Sequence, residues 1–275
     1  MKLRIEEHVN MDEANQIEII KRNPAAIMSV KNPTEEMMLT AVTCNGLLLE
    51  HLKHAPLKVQ EAAMEQDARA IRYISNPSED MMRKAVDRNW INLQYIQNPT
   101  DLVVRHAISY AGWAIRYVEH ATQEQRILAV RKNFDAIKYI DNPSEEVQLE
   151  AVRSSYEALR YMKNPTHLTE LEAVKNNDKA FLFVNEITKE KILDFLRVNI
   201  QVLKYINREI TEMELEVVLK EVLSRDEVEE EYVRDFIKYS SVEDSVIRHI
   251  DKLKLIYHYG SKRAKKIAVD ERLKM

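Results

Sequence analysis

The sequence predicts an all-α protein, an α-solenoid of about nine two-helix repeats that are each 22 residues long. The first observation is the triplet Asn-Pro-Ser/Thr, which recurs at intervals of 22 or 44 residues. It occurs at Asn32-Pro33-Thr34, Asn76-Pro77-Ser78, Asn98-Pro99-Thr100, Asn142-Pro143-Ser144 and Asn164-Pro165-Thr166. The second is that 275 residues include only 3 Gly and 7 Pro, few of the residues that hairpins and tight turns need. A fixed short period is typical of folds in which each unit packs only on its neighbours.

The register of the repeat extends on both sides of the five triplets. His54-Ala55-Pro56 and His120-Ala121-Thr122 stand where the triplet is missing, and further copies begin at Asn10 and Glu186. Nine copies therefore cover residues 10–207. Places within a repeat are numbered below from the first residue of the triplet.

Each repeat predicts a first helix from the Ser/Thr at place 3 to about place 13. Both the Asn and the Ser/Thr of the triplet can cap its free N–H groups, and acidic residues such as Glu35 and Glu36 favour the first turn. A small and a branched residue, as in Ala41-Val42, recur at places 10 and 11 and are candidates for the core. Asparagine at place 14 is expected to end the helix by adopting the left-handed conformation or by bonding the backbone. It occurs at Asn23, Asn45, Asn89, Asn133, Asn177 and Asn199.

A second helix of about seven residues completes the repeat. It presents Ala, Ile or Leu and a closing apolar residue on one face, as in Ala70, Ile71 and Ile74. A tyrosine precedes the closing residue in six copies, at Tyr73, Tyr95, Tyr117, Tyr139, Tyr161 and Tyr205. We expect these tyrosines to pack between repeats in the core; the alternative is a platform on which nucleic-acid bases stack.

The repeat resembles a tandem-repeat family of bacterial and phage genomes with units like NPSEEVQLxAVxxNxxAIxYI. The match is close from Asn142-Pro143-Ser144-Glu145 through Tyr161, and the resemblance covers most of residues 10–207. It implies an α-solenoid with a binding role and a mobile-element origin. The partner would then be a host protein that the chain inhibits.

The register breaks after residue 207. Residues 208–275 still read as three or four helices, with Ser241-Val242-Glu243-Asp244 like a degraded repeat start. We therefore predict two domains: the solenoid over 1–207 and a divergent helical cap over 208–275, since solenoid ends need a polar outer face.

Composition limits the class of protein. The formal net charge of -4 argues against a dedicated DNA-binding chain, and the single Cys44 excludes an internal disulfide or a cysteine-based metal site. There is no secretory signal and no stretch of roughly 18 apolar residues, so we expect a cytoplasmic location and no membrane contact.

Signatures of enzymes are missing from the sequence. Three scattered glycines cannot build a phosphate-cradling loop, and no residue is singled out as the catalytic carboxylate of a base-excision enzyme. His51 and His54 are interpreted as structural, because a turn is expected between them. We predict a protein without catalytic residues, cofactor or metal.

Two columns of basic residues recur at equivalent places. Place 19 holds Arg72, Arg116, Lys138, Arg160 and Lys204, and place 12 holds Arg131, Arg153, Lys175 and Arg197. Either column is a solvated face paired with acidic neighbours or a stripe that binds anions.

Large aromatic residues cluster irregularly where the second helix begins, at Trp90, Trp113, Phe134 and Tyr156. They either fill grooves between repeats or anchor a partner. We predict a non-enzymatic protein-binding solenoid in which these four residues contact a protein partner and Arg116, Lys138 and Arg160 steer it. The alternative is a nucleic-acid-binding protein that uses the basic columns.

Overall fold

The computed structural model describes residues 2–206, 209–239 and 250–274, and their side chains from residue 12 onward. Every regular element in these ranges is helical, and none is a β-strand. By its internal contacts the chain divides into two compact units, residues 1–132 and 133–275.

The first unit pairs α-helices with short 3₁₀-helices in strict alternation. Its α-helices are α1 (Lys2–Arg22), α2 (Glu35–Cys44), α3 (Leu57–Gln66), α4 (Glu79–Arg88), α5 (Asp101–Tyr110) and α6 (Gln123–Lys132). Its 3₁₀-helices are η1 (Pro24–Ser29), η2 (Gly46–His51), η3 (Ala68–Tyr73), η4 (Trp90–Tyr95) and η5 (Gly112–Tyr117). Consecutive α-helices pack side by side, as do η2 to η5, so the repeats stack in two layers.

The second unit continues the same alternation and then changes. Its repeat helices are η6 (Phe134–Tyr139), α7 (Glu145–Ser154), η7 (Tyr156–Tyr161), α8 (His167–Asn176), η8 (Asp178–Phe183), α9 (Lys189–Val198) and η9 (Ile200–Lys204). They are followed by α10 (Glu212–Ser224), α11 (Glu230–Lys238), α12 (Lys252–Tyr259) and α13 (Lys262–Arg272), with no further 3₁₀-helix in the described part. The predicted all-α repeat fold is confirmed, while the proposed repeat start at Ser241–Asp244 lies outside the described residues.

The first helix of the repeat begins as predicted, and the structure decides which residue caps it. The side chain at place 3 accepts a hydrogen bond of 3.2–3.4 Å from the backbone N–H three residues on, in six copies. The capping residues are Thr34, Ser78, Thr100, Ser144, Thr166 and Thr188. Thr122 does the same for α6, and Gln125 returns a bond to the Thr122 N–H.

The residue at place 14 does not adopt the left-handed conformation, so that part of the prediction is wrong. Its φ lies between −139° and −164° in all nine copies, which is extended backbone. In six copies its side chain instead caps the following 3₁₀-helix, as when Asn45 accepts a bond of 3.1 Å from Leu47 N–H. Positive φ occurs at place 1 in alternate copies, at His54, Asn98, Asn142 and Glu186.

Two further details differ from the expectation. The second helix is a 3₁₀-helix of five or six residues, because a segment bounded by extended residues on both sides is too short for two α-turns. In the first copy, α1 runs without a break through Asn10, so that copy has no turn at its start.

The core consists of the small and branched residues at the predicted places. In the fifth copy Val103, Ala107, Ile108, Ala114 and Ile115 are all buried. Alanine at places 10 and 17 lets neighbouring helices approach closely, and the branched residues fill the space between them. Because a helix of ten residues is marginal alone, this burial against adjacent repeats holds each repeat folded.

Candidate functional site

Of the four aromatic residues predicted to anchor a partner, Trp113 in the 3₁₀ layer of the first unit is exposed and the other three are half-buried. Trp113 and Ile91 both occupy place 16 and are 37% and 36% exposed. Half-buried Trp90, Tyr95 and Tyr117 lie beside them, and the rings of Trp90 and Tyr117 are 6.3 Å apart. We call these five residues on η4 and η5 the η4–η5 surface.

The η4–η5 surface contains few charges. Residues 89–97 and 111–119, which include η4 and η5, contain only Arg116 and Glu119 as charged residues. Arg116 stands over the ring of Tyr117, with its guanidinium carbon 5.2 Å from the ring centre. Beneath the surface Asn92 is buried at place 17, where most copies have Ala, and its side-chain amide donates to the Ala85 carbonyl at 2.9 Å. This hydrogen bond offsets the cost of burying the polar side chain of Asn92 in the core.

Aromatic residues at place 15 pack against the ring at place 20 of the next repeat. This holds for Trp90 with Tyr117 at 6.3 Å, for Phe134 with Tyr161 at 6.5 Å, and for Tyr156 with Phe183 at 6.2 Å. The structure therefore favours groove filling for Trp90, Phe134 and Tyr156. Trp113 stands one place further on, at place 16.

The tyrosines at place 20 are not core residues, contrary to expectation. Five are half-buried, and Tyr161 is exposed at 40%. Two of the hydroxyl groups donate to acidic side chains: Tyr73 to Glu50 at 3.1 Å and Tyr205 to Asp178 at 2.8 Å. Burial, followed by the bond to Asp178, raises the pKa of Tyr205 to about 12.

The basic residues at place 19 lie over aromatic rings. In the first unit the guanidinium carbon of Arg72 is 3.8 Å from the ring centre of Tyr95. In the second unit Lys138 Nζ is 5.4 Å from the ring centre of Tyr161, and the guanidinium carbon of Arg160 is 5.4 Å from that of Phe183. Each cation thus contacts the aromatic residue of the following repeat, a favourable electrostatic arrangement.

Their ion pairs distinguish these cations from one another. Lys138 pairs with Asp135 at 2.8 Å, and that hydrogen bond raises the pKa of Lys138. Lys204 pairs with Asp178 at 3.3 Å. Arg72 and Arg160, by contrast, have no carboxylate within 4.0 Å among the residues that the structure describes.

The column at place 12 is engaged in ion pairs in the second unit. Arg153 contacts Glu172 at 3.1 Å, Lys175 contacts Glu229 at 2.6 Å, and Arg197 contacts Glu221 at 2.9 Å. These pairs favour the solvated-face interpretation for this column, because anion binding would have to displace the carboxylates.

Neither histidine candidate stands on a helix face with the other. His51 ends η2 and His54 follows in the turn, with a φ of 55°, so the expected turn separates them. Within the described ranges, no group of three or more His, Cys, Asp or Glu side chains is arranged to hold a metal ion. No helix there is long and apolar enough to cross a membrane.

The fold defines the chain as an all-α helical-repeat protein. No family model matches the sequence, and no curated protein or solved structure is significantly similar to it.

Proposed function

We propose that the chain is a protein-binding module whose first unit contacts its partner through the η4–η5 surface. The observation that carries this proposal is the exposed pair Ile91 and Trp113 within a nearly uncharged stretch of the 3₁₀ layer. Protein interfaces are enriched in Trp, Tyr and Arg at their centre and depleted of charges there. A contiguous aromatic patch on a monomer surface is typical of such a contact.

The second unit offers a separate, weaker surface. Phe134, Tyr156 and Tyr161 are partly accessible, with Lys138 and Arg160 beside them. The half-exposed tyrosines and adjacent cations also suit single-stranded nucleic acid, which stacks on aromatic rings. The low charge of the η4–η5 surface and the paired column at place 12 favour a protein partner over this second candidate.

A pull-down with matched variants tests the proposal. Trp113→Ala with Arg116→Ala removes one exposed aromatic residue and one cation from η5. Leu102→Ala with Arg105→Ala removes an exposed apolar residue and an arginine, also three residues apart, from α5 of the same repeat. Both double variants should keep the circular dichroism spectrum of the wild type, since all four side chains lie at the surface.

We expect nuclease-treated bacterial lysate to yield a stoichiometric protein with the wild type and the α5 variant. Recovery with the η5 variant should fall by at least about tenfold, the effect of losing one hot-spot residue. Equal recovery by all three proteins would refute the η4–η5 surface as the site. Recovery that disappears with nuclease would favour the nucleic-acid candidate. A host protein as the partner rests on the family resemblance, and mass spectrometry of the recovered protein tests it.

A further inference from the structure

Arg72 is held flat against the edge of the η4–η5 surface. Its guanidinium carbon lies 3.8 Å from the centre of the Tyr95 ring and 5.7 Å from that of the Tyr73 ring. Its Nε donates to the Arg69 carbonyl at 3.2 Å. The stacking and this bond fix the plane of the guanidinium group, while the residue remains exposed.

The neighbouring arginine is arranged differently. Arg69, on the same 3₁₀-helix, contacts Asp67 with two nitrogens, Nη2 at 2.6 Å and Nε at 3.0 Å. These bonds lower the pKa of Asp67 and neutralise Arg69 locally. Among the described residues, no carboxylate lies within ion-pairing distance of Arg72. Its two terminal nitrogens therefore have no counter-ion.

The position of Arg72 links a cation to the apolar part of the surface. Tyr95, on which Arg72 stacks, ends η4, the same six-residue helix that carries Ile91. The guanidinium group of an exposed arginine that pairs with no carboxylate matches the two oxygens of a carboxylate. Stacking on an aromatic ring pre-orders the group, which reduces the entropy lost on binding.

We propose that the first unit binds a protein segment containing an Asp or Glu side chain, which forms a bidentate pair with Arg72. An apolar side chain of the same segment then rests on Ile91 and Trp113. This inference rests on the proposed function and adds the chemistry of the partner. A single unpaired arginine beside an apolar surface complements one carboxylate next to an apolar residue, whereas a nucleic-acid strand requires a series of cations.

The probe is a displayed library of random 12-residue peptides, panned on the immobilised full-length protein. Enriched peptides are synthesised with a fluorescent label and their affinities measured by fluorescence anisotropy. We expect enrichment of Asp or Glu close to Trp, Phe or Leu. Arg72→Lys, which keeps the charge and loses the planar pair of donors, should weaken binding by about tenfold.

Two controls make the measurement specific. Asp67→Asn combined with Arg69→Gln removes the neighbouring arginine together with its counter-ion, and should change affinity by less than about twofold because that pair carries no net charge. Replacing the peptide Asp by Asn should weaken binding to the wild type but have little further effect on the Arg72→Lys variant, because the two groups act as a pair.

Several outcomes would overturn the inference. These are enrichment of peptides without acidic residues, no enrichment, unchanged affinity of Arg72→Lys, or equal losses in Arg72→Lys and in the Asp67→Asn, Arg69→Gln variant. Arg72-dependent binding of labelled oligothymidine in place of acidic peptides would also overturn it. If the Trp113→Ala, Arg116→Ala variant loses the peptides while Arg72→Lys keeps them, the proposed function survives and only the carboxylate pairing fails. If neither variant affects peptide binding, both fail at this surface.

Discussion

The guanidinium group of Arg72 stacks on the ring of Tyr95, which belongs to the next repeat along the chain. Residues at places 19 and 20 therefore connect neighbouring repeats at the surface, in addition to the buried alanines and branched residues. The same relationship recurs in the second unit between Arg160 and Phe183 at 5.4 Å. In both pairs the basic residue at place 19 contacts the aromatic residue at place 20 of the following repeat.

A double-mutant cycle measures this contact. We expect Arg72→Ala and Tyr95→Leu to be coupled by about 0.5–1 kcal/mol, the range for an exposed cation–π pair. Urea unfolding of the wild type, both single variants and the double variant gives the coupling energy. Purely additive effects would mean that the stacking contributes nothing to stability, although its role in binding would remain testable.

Gly46 allows α3 to approach η2 closely. A Cβ atom at this position would come within 2.2 Å of the Ala63 carbonyl oxygen, and the Gly46 N–H donates to Gln66 Oε1 at 2.6 Å. We expect Gly46→Ala to reduce the free energy of unfolding by about 2 kcal/mol or more, since the backbone of α3 must move. Ala68 occupies the same place in the next repeat, and Ala68→Gly should cost about 1 kcal/mol at most. Urea unfolding measures both effects, and an unchanged midpoint for Gly46→Ala would contradict the requirement for Gly in the second copy.

Much of the fold follows from the sequence because the repeat averages out local ambiguity. The pairs Ala41-Val42 and Ala107-Ile108 are buried as predicted, and Thr34 caps its helix. The error at place 14 arose because Asn suits both a left-handed residue and an extended cap, and side-chain chemistry alone does not separate them. Periodicity likewise does not distinguish a short α-helix from a 3₁₀-helix when only six residues are involved.

The candidate surface was only partly predictable. Trp90 and Trp113 look equivalent in the sequence, yet they stand at places 15 and 16. That single step turns Trp90 towards Tyr117 and leaves Trp113 exposed. The sequence does not single out Ile91, because an isoleucine beside a tryptophan is typical of a buried position. Its alignment with Trp113 at place 16 was the signal that could have identified it.

Glu186 adopts a conformation that suits another residue type better. Its φ is 51°, in the left-handed region. At place 1 of two other repeats, Asn98 and Asn142 have similar φ values of 51° and 46°. Because Asn adopts the left-handed region at a lower energetic cost than Glu, Glu186→Asn should stabilise the protein by about 0.5–1 kcal/mol. The side chain is exposed, so few contacts are lost. The reciprocal Asn142→Glu, in the same unit, should destabilise by a similar amount; thermal unfolding that shows no change in either variant would contradict this account.

The pair of Glu170 and Lys191 joins α8 to α9. Glu170 is only 2% exposed, and Lys191 Nζ lies 3.0 and 2.8 Å from its two carboxylate oxygens. Lys191→Met should cost about 2–3 kcal/mol, because it leaves a buried carboxylate without its cation.

A compensating variant separates this effect from lost packing. Gln148 occupies the place of Glu170 in the preceding repeat and bonds to the Pro143 carbonyl. Glu170→Gln combined with Lys191→Met should therefore recover most of the stability lost in Lys191→Met alone, as urea unfolding would show. Equal loss in the single and double variants would indicate that the alkyl chain of Lys191 matters more than its charge.

Glu214 gives the second unit a pH-dependent contribution to stability. Its carboxylate contacts Lys189 at 2.6 Å and accepts the Thr211 N–H in a capping box at the start of α10. Lys189, and then Thr211, lower the pKa of Glu214 from 4.5 to about 2. Since the folded state holds the proton more weakly than the unfolded state, this contribution is complete above pH 4.5 and is lost as the pH falls through about 2.

Glu214→Gln keeps the cap but cannot carry the charge, so the wild type should be the more stable protein at pH 6, and the two should converge between pH 4.5 and 2. A difference in urea midpoint that stays constant over this range would assign the effect to the cap and not to the ion pair.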